Sequence, residues 1–89
     1  MIFHHQTKQH YFESLSETVS ELHNRILSDR IELDPTWSET VCSNPINYNT
    51  HHNFDFPILT YKGKPTRKYF HVNIWRDERG TYELNCYVL

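Results

Sequence analysis

Residues 69 to 89, YFHVNIWRDERGTYELNCYVL, decide the fold. Two alternating runs flank Asp77-Glu78-Arg79-Gly80, which suits a type I turn closed by a glycine in the left-handed region. With Asp77 opposite Thr81, counting outward sets Ile74 against Leu84, Val72 against Cys86 and Phe70 against Val88. One face of the ribbon is then apolar pair by pair. The other face pairs Trp75 with Glu83, Asn73 with Asn85, His71 with Tyr87 and Tyr69 with Leu89. A slip of one residue would oppose apolar with polar side chains, so the register is strongly specified.

Working back from this hairpin, Phe54, Phe56 and Ile58 alternate with Pro57, Leu59 and Tyr61, which reads as a further strand. Lys62-Gly63-Lys64-Pro65 supplies the turn to the hairpin. Pairing Ile58 with Phe70, Phe56 with Val72 and Phe54 with Ile74 aligns three apolar rows. Pro57 has no amide hydrogen, so this strand is expected at a sheet edge, with Tyr69 to Arg76 central. Residues 46 to 53, rich in asparagine and holding Tyr48 and the pair His51-His52, read as a loop.

Earlier in the chain, Phe12, Leu15, Val19, Leu22 and Ile26 recur at steps of three and four, the stripe of an amphipathic helix. Ser14 with Glu17, and Thr18 with Glu21, have capping-box spacing, but the inclusion of Phe12 places the helix start near Thr7 or His10. The helix should end between Ser28 and Arg30. Ile31 to Leu33 then form a brief extended link. Asp34-Pro35 opens a short second helix to about Cys42, with Trp37 and Val41 inward and Asn44-Pro45 ending it. Met1 to His5 reads as a short edge strand or a docked terminus, with the strand favoured. The expected architecture is α+β: one domain over residues 1 to 89, an N-terminal amphipathic helix and a short second helix packed on a three- to four-stranded antiparallel meander.

Eighty-nine residues with 37% hydrophobic content give a modest core, which favours support from a second chain. Alanine is absent while histidine occurs seven times, a bias suited to a mobile-element or AT-rich gene. No apolar run reaches the roughly 20 residues of a membrane span, and a soluble, cytoplasmic protein with two reduced thiols is expected. Residues 1 to 61 carry three bases against eight acids, whereas residues 62 to 89 carry six against three. The hairpin region is therefore the basic part of an acidic chain.

The sheet face away from the helix holds the candidate binding residues. It carries Tyr61, Tyr69, His71, Trp75 and Tyr87 with Leu59 and Leu89, and Arg67 and Arg76 stand beside it. Such a face is too apolar to be left bare. Three covers compete for it: the chain itself, by the second helix through Trp37 and Val41 or by the N-terminal residues; a second copy or other protein partner; and single-stranded nucleic acid. The last is suggested by aromatic rings bordered by bases such as Lys62, Lys64 and Lys68. The expectation is a non-catalytic contact or oligomerisation module, with nucleic-acid binding as its alternative. RNA cleavage centred on His71, with Arg67, Tyr69 and Tyr87, is a minor third. Adjacent histidines at 4-5 and 51-52, with no Cys-x-x-Cys or His-x-x-x-His, point to no metal or other cofactor.

Overall fold

The apolar helical stripe expected from the sequence is present, but the helix begins later than Phe12 suggests. In the computed structural model, which describes residues 11 to 89, β1 is Tyr11–Phe12 and α1 is Leu15–Ser28. Ser14 is the N-cap: its extended backbone lets the hydroxyl accept the Glu17 amide at 3.1 Å. Phe12 reaches the core from a strand instead, pairing with Tyr82. The strand expected at Met1 to His5 lies outside the described residues. Leu22, Ile26 and Thr18 are the buried residues of α1. Thr18 is tolerated there because its hydroxyl donates to the Ser14 carbonyl at 2.9 Å.

After α1, Arg30 takes a positive φ of 55° and turns the chain back. The expected extended link is a strand, β2 (Ile31–Leu33), antiparallel to β3 (Thr50–Tyr61). Between them, α2 runs over Trp37–Cys42, two residues short of the proline start. Asp34 Oδ1 accepts the Thr36 amide at 2.9 Å and its hydroxyl at 2.6 Å, holding the entry turn. Trp37 and Val41 are buried in the same cluster as Leu22, and the Trp37 ring stacks on His23 at 6.3 Å. The second helix therefore lies on the α1 side and does not cover the outer face.

The hairpin of β5 (Tyr69–Arg76) and β6 (Tyr82–Val88) has the expected register throughout, from Phe70 opposite Val88 to Trp75 opposite Glu83. Gly80 has φ 93°, and Asp77 Oδ1 accepts the amides of Arg79 and Thr81, each at 2.9 Å. The turn thus uses glycine for its backbone and aspartate for its orphan donors.

β3 departs from expectation in three ways. It starts at Thr50, so His51 and His52 belong to a strand and not to a loop. Its pairing with β5 is Phe56 to Phe70 and Phe54 to Val72, two residues from the expected register. Lys62 and Gly63, both at positive φ, close a tight turn that pairs Tyr61 with Lys64 of β4 (Lys64–Pro65). That draws the strands together and leaves Ile58 to meet Leu33. A two-residue shift keeps every side chain on its face, so two of the apolar rows still match, while His52 stands opposite Ile74. Third, β3 is not the sheet edge. The order is β1-β6-β5-β3-β2, with β4 beside β3. The proline argument survives locally, because β2 pairing ends at Ile58 and Pro57 is paired only to Tyr69.

Among the described residues the result is α+β: two helices packed on one face of a six-stranded antiparallel sheet. The core between the layers includes Leu22, Val41, Phe70, Val72, Ile74 and Leu84. No helix of the described residues is long and apolar enough to cross a membrane.

Candidate contact surface

The opposite face of the sheet is built from side chains that alternate with the core residues, and register sorts them into rows across the strands. One row joins Asp55, His71 and Tyr87. His71 Nδ1 stands 2.7 Å from Asp55 Oδ1, and its ring lies 5.0 Å from that of Tyr87. The His71 side chain is only 18% exposed while Asp55 is 55% exposed, so the contact orients the ring more than it stabilises the fold. The next row joins Asn53, Asn73 and Asn85, where Asn73 Nδ2 donates to Asn53 Oδ1 at 2.8 Å. A third joins His51, Trp75, Glu83 and Tyr11, with the His51 and Trp75 rings stacked at 5.4 Å and 5°. The middle of the face is thus polar and largely satisfied within itself.

Its two ends differ. At one end Leu59, Tyr69, Tyr87 and Leu89 each keep about half of their surface exposed, forming the apolar part of the face. The Leu89 amide donates to the Tyr69 carbonyl at 2.8 Å and fixes that corner. At the other end an open cleft is lined by Tyr11 and Trp75 with residues of the β5–β6 turn. The Tyr11 hydroxyl is held above its usual pKa, chiefly by burial and then by the nearby carboxylates of Glu83 and Asp77.

Of the residues singled out from sequence, Tyr69, His71, Trp75 and Tyr87 share this face, and Arg67 is exposed between β4 and β5. Tyr61 does not join them. A bulge between Glu32 and Leu33 leaves Leu59 as an extra residue on β3, reversing the alternation so that Tyr61 packs against the core. Arg76 is also turned away. It sits opposite Tyr82, on the helix side, with its guanidinium 4.2 Å from the Tyr48 ring and 5.1 Å from Tyr82. Nη1 donates to the Ile46 carbonyl at 3.1 Å and Nε to that of Gly80 at 3.4 Å. It fastens residues 43 to 49 to the hairpin.

Sequence reasoning missed Asp55, Asn53, His51 and Tyr11. Carrying the alternation of Phe56 and Phe54 back to His52 would have found the first three. Among the described residues, no group of three or more His, Cys, Asp or Glu is arranged to hold a metal ion. The two cysteines are free: Cys42 is exposed, and Cys86 has its thiol pKa pushed up by burial, against the lowering effect of the Arg25 guanidinium 3.6 Å away. Comparison with known proteins gives no match among protein-family models, curated proteins or solved structures.

Proposed function

We propose that the chain is a non-catalytic self-association module, and that a second copy covers the apolar end of the outer sheet face. The observation that carries this reading is the grouping of Leu59, Tyr69, Tyr87 and Leu89 at one corner, each half-exposed. Tyrosine and leucine side chains gathered on a rigid sheet lose little entropy when covered, and contiguous apolar surface of this kind is uncommon on a chain that stays alone. The rim is of mixed sign. Arg67 and Lys68 precede Tyr69, while Asp55 lies one row further along, beside His71 and across it from Tyr87. A two-fold arrangement brings the basic rim of one copy to the acidic rim of the other.

Single-stranded nucleic acid is less well supported as the occupant. Arg76 is committed to Ile46 and Gly80, Tyr61 faces the core, and the face itself carries Asp55 and Glu83. Phosphates would meet carboxylates where the rings are. His71 is held between Asp55 and the Tyr87 ring with little of its side chain exposed, which suits a positioned contact residue.

Light scattering on the wild type and on Tyr87→Asp tests the reading. The expected result is twice the chain mass for the wild type at tens of micromolar and a single chain mass for the variant, with the circular dichroism unchanged. A wild type that remains a single chain at millimolar concentration overturns it. Leu59→Asp is the second variant, on a different strand, and should act in the same direction.

A further inference from the structure

At the end of the outer face away from the apolar corner, the cleft beside the β5–β6 turn has a volume of about 860 Å³. Trp75 and Tyr11 both line it. Register places them in one row on β5 and β1, with Glu83 of β6 between them. Neighbouring strands lie about 4.8 Å apart, so two such spacings separate the rings by roughly 10 Å. A group seated over the Glu83 side chain, between the two rings, stands about 5 Å from either ring, within the roughly 6 Å over which an aromatic face attracts a cation.

The charges around this gap have the matching sign. Asp77 and Glu78 line the cleft, and Glu83 approaches the Tyr11 hydroxyl, against the single guanidinium of Arg79. The Asp77 carboxylate is fixed in place by the amides of Arg79 and Thr81. One face of the Trp75 indole is already taken by His51, which sets the ring parallel to its neighbour. Two aromatic rings and an excess of carboxylate disfavour phosphate or carboxylate ligands. They equally disfavour a strongly hydrated ammonium, which gives up water reluctantly at an aromatic surface.

We propose that this cleft binds a weakly hydrated organic cation, of the methylated ammonium or guanidinium type. The group is presented either as a free small molecule or at the tip of a partner protein's lysine or arginine side chain. Cation–π attraction from Trp75 and Tyr11 supplies the binding, and Glu78 with Glu83 selects the charge. The site is independent of self-association, because it shares no residue with the corner of Leu59, Tyr69, Tyr87 and Leu89.

The test is a nuclear magnetic resonance titration following the Trp75 indole N–H and the Thr81 amide at constant ionic strength. The probes are tetramethylammonium chloride and tert-butanol, which has nearly the same shape and no charge. Saturable shifts with tetramethylammonium in the millimolar range are expected, with tert-butanol at least about tenfold weaker. Trp75→Leu should weaken binding about tenfold and Glu78→Gln about threefold. If Trp75→Leu disturbs amides elsewhere in the sheet, Tyr11→Leu takes its place. Tyr87→Asp should leave the titration unchanged, which separates this site from the self-association surface. Choline and a trimethyl-lysine peptide then identify the source by which binds tighter, either result supporting the site. Equal response to tert-butanol, or no saturation by about 100 mM tetramethylammonium, overturns the proposal.

Discussion

Replacing Arg76 distinguishes a residue that holds the fold from one that waits for a phosphate. Its guanidinium makes hydrogen bonds to the carbonyls of Ile46 and Gly80 and lies against the rings of Tyr48 and Tyr82. Hydrogen bonds involving a charged donor contribute about 1.5 to 3 kcal/mol, and the 3.4 Å bond to Gly80 is at the weak end. Each ring contact adds about 0.5 to 1 kcal/mol at a half-exposed position. The contributions overlap, because one side chain makes them all, so Arg76→Met should cost about 2 to 3 kcal/mol. For a domain of this size that lowers Tm by roughly 10 to 20 °C. Arg76→Lys should recover less than half of the loss, since an ammonium cannot reach two carbonyls while stacking on two rings. Urea unfolding followed by circular dichroism measures both variants, and a cycle with Tyr48→Leu should give a coupling of about 0.5 to 1 kcal/mol. An Arg76→Met protein within about 0.5 kcal/mol of the wild type would refute the fastening role.

Ser14→Ala removes the acceptor of the Glu17 amide and should cost about 1 kcal/mol in urea unfolding, with Ser14→Asp close to the wild type. Cys42 should be alkylated by iodoacetamide at pH 8 well before Cys86, whose burial holds its thiol above the ordinary value. Mass spectrometry of timed samples would show the order, and equal rates would contradict the burial of Cys86. The same raised value fixes a sign. Above the pH at which an unfolded thiol ionises, the unfolded chain releases a proton that the folded chain retains. The Cys86 contribution to stability is therefore present below that pH and is lost as pH rises through the folded value. Cys86→Ala should flatten that part of the stability curve.

The β5–β6 hairpin was legible because turn chemistry and alternation specify the same pairing: Gly80 fixes where the chain reverses, and Ile74 with Leu84 fixes the face. The register of β3 was not legible. Ile58 and Phe56 lie on the same face, so pairing either with Phe70 opposes apolar side chains; matching apolar rows alone favours Ile58, and the observed register, which sets His52 against Ile74, goes with the tight Lys62-Gly63 turn. The start of β3 was hidden for another reason. His51 to Asn53 have weak strand propensity of their own and become a strand by pairing with Trp75 to Asn73. The side taken by Arg76 could have been read, because in the hairpin register it has the parity of Phe70, Val72 and Ile74. Its basic character drew attention to the wrong face. The reversal at Tyr61 depends on a contact with β2, whose pairing carries almost no sequence signature over three residues.

The bulge at Leu59 imposes an arithmetic on how this region tolerates change. Because it adds one residue to β3 opposite the Glu32–Leu33 step, it acts as a parity reversal between two otherwise ordinary ladders. Deleting Leu59 would leave Ile58, Thr60 and Tyr61 in strict alternation opposite Leu33, Glu32 and Ile31, so the bulge would vanish and the Tyr61 ring would still lie on the core side beside Ile31. An insertion of two residues at the same place would lengthen the strand without exchanging its sides. Loss of one residue is thus absorbed at the bulge, whereas loss of one residue elsewhere in β3 would exchange the faces of everything beyond it, a rule that no property of the individual side chains would reveal.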